Sequence, residues 1–248
     1  MSIYIFGDFH GNARNEKFFL EQQHFPEQEK LTIKDTLIIM GDVSILRYFP
    51  EQEKKYKQDI ENRDFFGKQN YTTFCIMGNH ENWYLYNELS EEEKFGGRVK
   101  VLETNYKPIY FAITGEIYTI EGKTFLVING ALSIDKELRT KGIDWFEEET
   151  LSNKEINKTL DVIEKEKEVD YLLSHTVNSK IVNYFTKNNN DYGNNLKYKC
   201  HTSEFLSYVD EILKYKENHF GHFHIQKEIK IDNKKYICHY KSKPYKLI

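Results

Sequence analysis

Two hydrophobic periods alternate along this chain. Short apolar runs of four to six residues are separated by longer polar stretches with apolar residues at spacings of three and four. "TLIIM" (36–40) and "FLVIN" (125–129) are continuous apolar runs but for Thr36 and Asn129 at their ends, the pattern of strands buried on both faces. On this basis strands are expected at Ile3–Phe6, Thr36–Met40, Thr72–Met77, Lys100–Glu103, Glu116–Ile120, Thr124–Asn129, Asp170–Ser174, Glu228–Ile231 and Lys235–Tyr240. Helices are expected at Arg14–Gln23, Glu51–Phe66, Asn153–Glu168 and Ser203–Lys214. The third carries Ile156, Leu160 and Ile163 on one stripe, with Ser152 or Asn153 placed to cap it.

Strands alternating with helices predict an α/β layered fold. Gly122, inside "IEGKTFLV", reads as a turn between paired strands, so the sheets are expected to be mixed. No internal repeat interrupts the pattern, and the chain is read as one domain, 1–248. Its one low-complexity patch, "TKNNNDYGNN", opens a segment, 186–199, that reads as a flexible loop.

Composition narrows the class. Aromatic residues at 15% supply ample core, which excludes general disorder. A net charge of −4 argues against a general nucleic-acid or acidic-membrane binder. Three cysteines without a CxxC suit a reducing compartment. The N-terminus shows no basic-then-apolar signal, and no run of about 18 apolar residues occurs. The expectation is a cytoplasmic protein without a membrane span.

The candidate chemistry lies where the apolar runs stop. "IYIFGDFHGN" ends on Asp8 and His10, "LIIMGDVS" on Asp42, "TFCIMGNHE" on Asn79 and His80, "YLLSHT" on His175, and "NHFGHFH" on His222 and His224. In an open α/β sheet the carboxyl ends of parallel strands share one edge, where ligands bind. Seven of these oxygen and nitrogen donors brought to that edge would already call for positive charge between them, and divalent cations are the simplest source. Seven are too many for one tetrahedral site. They suit two ions sharing a carboxylate and leaving positions open for water. Two metals about 3.5–4 Å apart can clamp an in-line phosphoryl displacement and turn a held water into hydroxide near neutral pH. A mixed Asp, Asn and His set accommodates Mn, Fe, Zn or Ni.

In this order, "GDFHG", "GD", "GNHE", "SH" and "GHFH" resemble the calcineurin-like metallophosphoesterase superfamily over residues 7–224. "GALSIDKELRTKGIDWFEEE" (130–149) is similar to a stretch of its phage and bacterial members. The resemblance implies two mixed β-sheets packed as a sandwich and flanked by helices. It places Asp8, His10 and His224 on one divalent metal and Asn79, His175 and His222 on another, with Asp42 bridging. His80 is left free to protonate or stabilise the leaving oxygen. The implied activity is hydrolysis of a phosphomonoester or phosphodiester by metal-bound hydroxide, with nucleotides among the candidate substrates. The alternative is a non-catalytic scaffold of the same fold. Such relatives are expected to lose ligands, whereas all eight positions are present here.

Two departures stand out. Where many members carry a second Asp in Gly-Asp-x-x-Asp, this chain has Ile45, so Asp135 or a backbone carbonyl is left to orient His80. The Asp-Arg-Gly of the serine/threonine protein phosphatases is also absent, which disfavours that subfamily. Arg139 (with Lys136), Arg47 and Asn12 are candidate phosphate contacts, since a guanidinium offers a two-pronged fork. Glu81 reads as local structure. Trp83, Trp145 and the tyrosines read as packing, and His24, His201, His219 and His239 as structural or surface histidines.

Overall fold

The computed structural model describes residues 1–11, 17–187 and 200–248. Its strands form two sheets. The first takes β1 (Ile3–Phe6), β2 (Thr36–Ile39), β3 (Thr72–Cys75), β4 (Ser90–Lys94), β5 (Gly97–Leu102) and β6 (Ile109–Ala112). The second takes β7 (Ile117–Ile120), β8 (Lys123–Ile128), β9 (Tyr171–Ser174), β10 (Glu217–Phe220), β11 (Lys227–Ile231) and β12 (Lys234–Cys238). A last strand, β13 (Tyr245–Lys246), returns to the edge of the first sheet.

Both sheets are mixed and share one plan. In the first, β1, β2, β3 and β6 run parallel at the centre, in the order β13-β1-β2-β3-β6-β5-β4. In the second, β12, β10, β9 and β8 do the same, in the order β11-β12-β10-β9-β8-β7. Antiparallel strands finish both edges of each sheet.

Period-two alternation separates the layers. Ile3, Ile5, Ile38, Met40, Phe74 and Ile76 pack with Phe125, Val127 and Leu173 in a core between the sheets. Their neighbours Tyr4, Phe6, Leu37, Ile39, Cys75 and Met77 face the other way, into a second core with Phe66 of helix α1 (Glu53–Gly67). On the far face of the second sheet, Leu126, Ile128 and Leu172 pack under α3 (Asn153–Glu166) and α5 (His201–Ile212). Because the central strands are buried on both faces, their sequences read as unbroken apolar runs. Gly122 and Glu121 form the two-residue turn joining β7 to β8, both at positive φ, as the sequence suggested.

Three parts of the sequence reading change. The helix expected at Arg14–Gln23 is instead a 3₁₀ turn, Lys17–Leu20, followed by another at Pro26–Lys30; residues 14–16 lie outside the described region. Phe18, Phe19 and Leu20 are consecutive rather than spaced along one helical face, and Pro26 stops any extension. Strands β4, β6, β10 and β13 and helices α2 (Trp83–Glu88) and α4 (Ser179–Lys187) were not among the expected elements. The β4 segment, "SEEEK", has no alternation to read; it pairs at the sheet edge through a tight turn at Phe95 and Gly96. The proposed loop 186–199 begins within α4, and residues 188–199 lie outside the described region.

Helix α3 starts on a capping box in which the Ser152 hydroxyl meets the Glu155 backbone N–H and the Glu155 carboxylate meets the Ser152 backbone N–H. We expect Ser152→Ala to cost about 1 kcal/mol, lowering the melting temperature by roughly 2–4 °C in a thermal scan. Among the described residues no helix is long and apolar enough to cross a membrane. The three cysteines are free and buried.

Candidate metal centre

The two sets of parallel strands end at a common edge, and the turns leaving β1, β2, β3, β9 and β10 converge there. Asp8, Asp42, Asn79 and His175 are buried, while His10, His80 and His222 are half-buried and His224 is the most open. His10, Asp42, His222 and His224 all sit at positive φ, between 49° and 67°. Non-glycine residues in that region cost about 1–3 kcal/mol each and concentrate at functional sites. Two glycines make room for the close approach. A Cβ at Gly221 would lie 2.0 Å from Asp8 Oδ1, and one at Gly78 would lie 2.2 Å from Asp42 Oδ1.

Two groups of ligand atoms share Asp42. In the first, Asp8, His10, Asp42 and His224 each offer one atom within 4.8 Å of the others. His10 Nε2 lies 2.7 Å from His224 Nε2 and 3.7 Å from Asp42 Oδ2, and His224 Nε2 lies 3.5 Å from Asp8 Oδ2. In the second, Asn79 Oδ1 is 3.1 Å from His175 Nε2 and 3.0 Å from His222 Nδ1, while His175 Nε2 is 3.4 Å from Asp42 Oδ2.

Hydrogen-bond bookkeeping shows what this donor set accepts. His175 Nδ1 lies 2.7 Å from the Met40 carbonyl, which can only accept, so Nδ1 carries the hydrogen. Nε2 is thereby left as a lone pair facing the oxygens of Asn79 and Asp42. Acceptors meeting acceptors need a cation between them, either a proton or a metal ion. With protons alone, burial would lower His175, but the Asp42 charge and hydrogen bond and the Asp8 charge raise it to about 10. Asp42 responds in kind: burial would raise it, and His175, His80 and His10 hold it well below the usual carboxylate range. These residues fit a divalent-metal site in donor type, convergence and tautomer.

Glu81 belongs to the scaffold of this edge. Its carboxylate receives the backbone N–H groups of Gly78 at 2.6 Å, Val43 at 2.5 Å, Asp42 at 3.2 Å and Ser44 at 3.4 Å. It therefore pins the β2 turn to the β3 turn. Burial and the Asp42 charge push its pKa up to about 7. The sequence reading of Glu81 as local structure agrees with this arrangement.

His80 stands beside the cluster. Its backbone N–H donates to Asp42 Oδ1 at 3.0 Å, and its Nε2 lies 4.0 Å from Asp42 Oδ2. Ile45, at the position of the missing Asp, is fully buried in the outer core of the first sheet. Asp135 does not bind His80 directly. It pairs with Arg139 at 2.8 Å, and Arg139 Nη2 sits 3.4 and 3.2 Å from the two ring nitrogens of His80. One N–H cannot point at both diverging lone pairs, so this contact packs a guanidinium against the ring. Burial pushes His80 down to about 3, Asp42 opposes this, and the charges of Arg47 and Arg139 lower it further.

Of the three candidate phosphate contacts, Arg139 reaches the site, Arg47 acts on His10 and His80 through its charge, and Asn12 lies outside the described region. His219 and His239 pair with each other at 2.9 Å, buried and apart from this cluster. Ser133, Trp145 and Glu149 connect to the site through Asn79, a connection that no sequence spacing announces.

The profile of the calcineurin-like phosphoesterase family matches residues 1–226. The chain belongs to that family. Among solved structures, this calcineurin-like phosphoesterase is similar to the phosphopantetheinyl hydrolase of Mycobacterium tuberculosis, with a TM-score of 0.51 and 14% identity over 100% of this chain and 95% of the other. That likeness shows the fold: two mixed sheets with flanking helices. The sulfate thiohydrolase SoxB of Thermus thermophilus matches at a TM-score of 0.45 and 9% identity, over 98% of this chain and 52% of the other. No curated protein matches the sequence.

Proposed function

We propose that this phosphoesterase hydrolyses a P–O bond of a phosphomonoester or phosphodiester, using two divalent cations held at the strand-end cluster. The observation that carries this reading is Asp42, whose carboxylate faces both groups of candidate ligands at once. Asp8, His10 and His224 would hold one ion, Asn79, His175 and His222 the other, and Asp42 both. Such ions lower the pKa of a bound water and neutralise charge on a phosphoryl group.

The chain's own residues supply the rest. Arg139 carries a fixed positive charge to the rim beside His80, where it would bind a phosphoryl oxygen and orient the ester. Its pairing with Asp135 keeps the guanidinium from swinging away. His80, flanked by the charges of Arg47 and Arg139, is held neutral and would donate a ring N–H to the leaving oxygen. Ile45 supplies no acceptor to this ring, so His80 takes its position from the backbone bond to Asp42 and from the packed guanidinium.

The test compares p-nitrophenyl phosphate with its bis-ester, using protein loaded with Mn. Wild type should hydrolyse at least one of them, and EDTA should remove the activity. Arg139→Ala and His80→Ala should each lower kcat/KM on the order of 10²-fold. Activity indistinguishable from the metal-only background, here and on a panel of nucleotides and sugar phosphates, would overturn the reading in favour of an inert scaffold. The monoester-to-diester ratio assigns the bond type.

A further inference from the structure

Beyond the candidate ligands, a buried relay reaches the cluster from the segment between β8 and α3. Asn79, Ser133 and Glu149 are 3%, 1% and 1% exposed. Glu149 Oε1 accepts from the Ser133 backbone N–H at 2.6 Å and from Trp145 Nε1 at 2.9 Å. Glu149 Oε2 accepts from the Ser133 hydroxyl at 2.7 Å. Ser133 Oγ lies 3.1 Å from Asn79 Nδ2.

Burial pushes the Glu149 carboxyl up to about 7, against the Ser133 and Trp145 hydrogen bonds that favour its charge. With Glu149 ionised, the one hydroxyl proton goes to the carboxylate. Toward Asn79, therefore, Ser133 Oγ can only accept. The atom of Asn79 that faces Ser133 must be the nitrogen, and the carbonyl oxygen must be the atom turned toward His175 and His222. We infer that Glu149, acting through Ser133, is a positioning residue that sets the orientation of the Asn79 amide and so presents its oxygen, rather than its nitrogen, to the second cation. This rests on the reading of Asn79 as a metal ligand. Trp145 has a place in it too, because its N–H helps hold the Glu149 carboxylate.

The relay has a direction that one substitution should reverse. In Glu149→Gln, the side-chain oxygen stays where the Ser133 and Trp145 N–H groups converge. The new NH₂ then occupies the position facing Ser133 Oγ and donates to it. The hydroxyl proton turns toward residue 79, where it meets the Asn79 nitrogen and favours flipping the amide. A flipped amide offers two N–H groups where a ligand oxygen is needed. A carboxylate at residue 79 would accept the reversed proton, so Asn79→Asp combined with Glu149→Gln should restore the site.

The experiment titrates Mn into full-length protein stripped of metal, by calorimetry with parallel metal counting. Wild type should bind two Mn per chain. In Glu149→Gln, one of the two should bind on the order of 10–100-fold more weakly while the other is unchanged. Ser133→Ala, which removes the relay without reversing it, should weaken the same site less. The double variant should bind that Mn more tightly than Glu149→Gln and more tightly than Asn79→Asp alone, a coupling that a merely structural Glu149 would not produce. Equal binding by wild type and Glu149→Gln, or a double variant no better than its parents, would overturn the relay while leaving the metal centre standing. A wild type that binds no Mn would sink the metal reading and the relay with it. Thermal scans of the metal-free proteins identify any variant that fails to fold; if Glu149→Gln does, Ser133→Ala decides, and binding of both Mn ions equal to wild type would then overturn the relay.

Discussion

Asp42→Asn should reduce phosphoesterase activity on the order of 10⁴-fold and leave the protein unable to hold two Mn ions. The two faces of this carboxylate explain the size of the effect. Asp42 Oδ1 accepts the His80 backbone N–H at 3.0 Å, an anchor that an amide oxygen can keep. The amide nitrogen must then replace Oδ2, which faces His10 and His175. Two N–H donors would point into a cluster whose other members are lone pairs. The substitution thus removes the shared negative charge and adds positive edge to the place where both cations would sit. Two-metal stabilisation contributes several kcal/mol to such a reaction, and each 1.36 kcal/mol is tenfold in rate. The measurement is kcat/KM with metal analysis at saturating Mn. Activity within about tenfold of wild type would remove Asp42 from its bridging role.

Glu81→Ala should lower stability by about 3 kcal/mol, a fall of roughly 6–12 °C in melting temperature for a chain of this length. Four backbone N–H groups, from Asp42, Val43, Ser44 and Gly78, lose their acceptor in a region closed to water. An orphaned buried donor costs about 1–3 kcal/mol, although relief of the cost of burying the Glu81 carboxylate offsets part of the sum. Asp42 and Ser44 also sit at φ of 50° and 54°, conformations that the Glu81 bracket helps to hold. Urea titration of metal-free protein checks the prediction, because the loss should appear without any cation present. A change below about 0.5 kcal/mol, the level of an ordinary surface substitution, would show that the turns hold themselves.

These two expectations separate what local sequence carries from what it does not. The runs at 3–6, 36–39 and 125–128 are legible as strands because the sandwich buries both faces of its central strands, and burial leaves its mark at every position. The same logic hid β4, whose charged edge carries no apolar signal, whereas α4 carries a legible apolar stripe, Ile181, Val182 and Phe185, over only nine residues. The candidate ligands were visible because each follows an apolar run, and all but His175 also follow a glycine. The support of His80 was not visible. Arg139 is fifty-nine residues away, and its contact depends on how the 130–149 segment crosses the strand ends.

By itself, the sequence determined the set of chemical groups and the edge to which they go. Apolar runs ending in Asp, Asn and His must place those groups at strand termini, since only there can polar ligands leave a buried sheet. Tertiary structure alone decided how the groups meet. It joined two sheets so that Asp42 faces both ligand sets, put Arg139 rather than a carboxylate against His80, and brought Glu149 within one hydroxyl of Asn79. Distances of about 3 Å between residues dozens of positions apart arise from packing, and no local pattern encodes them.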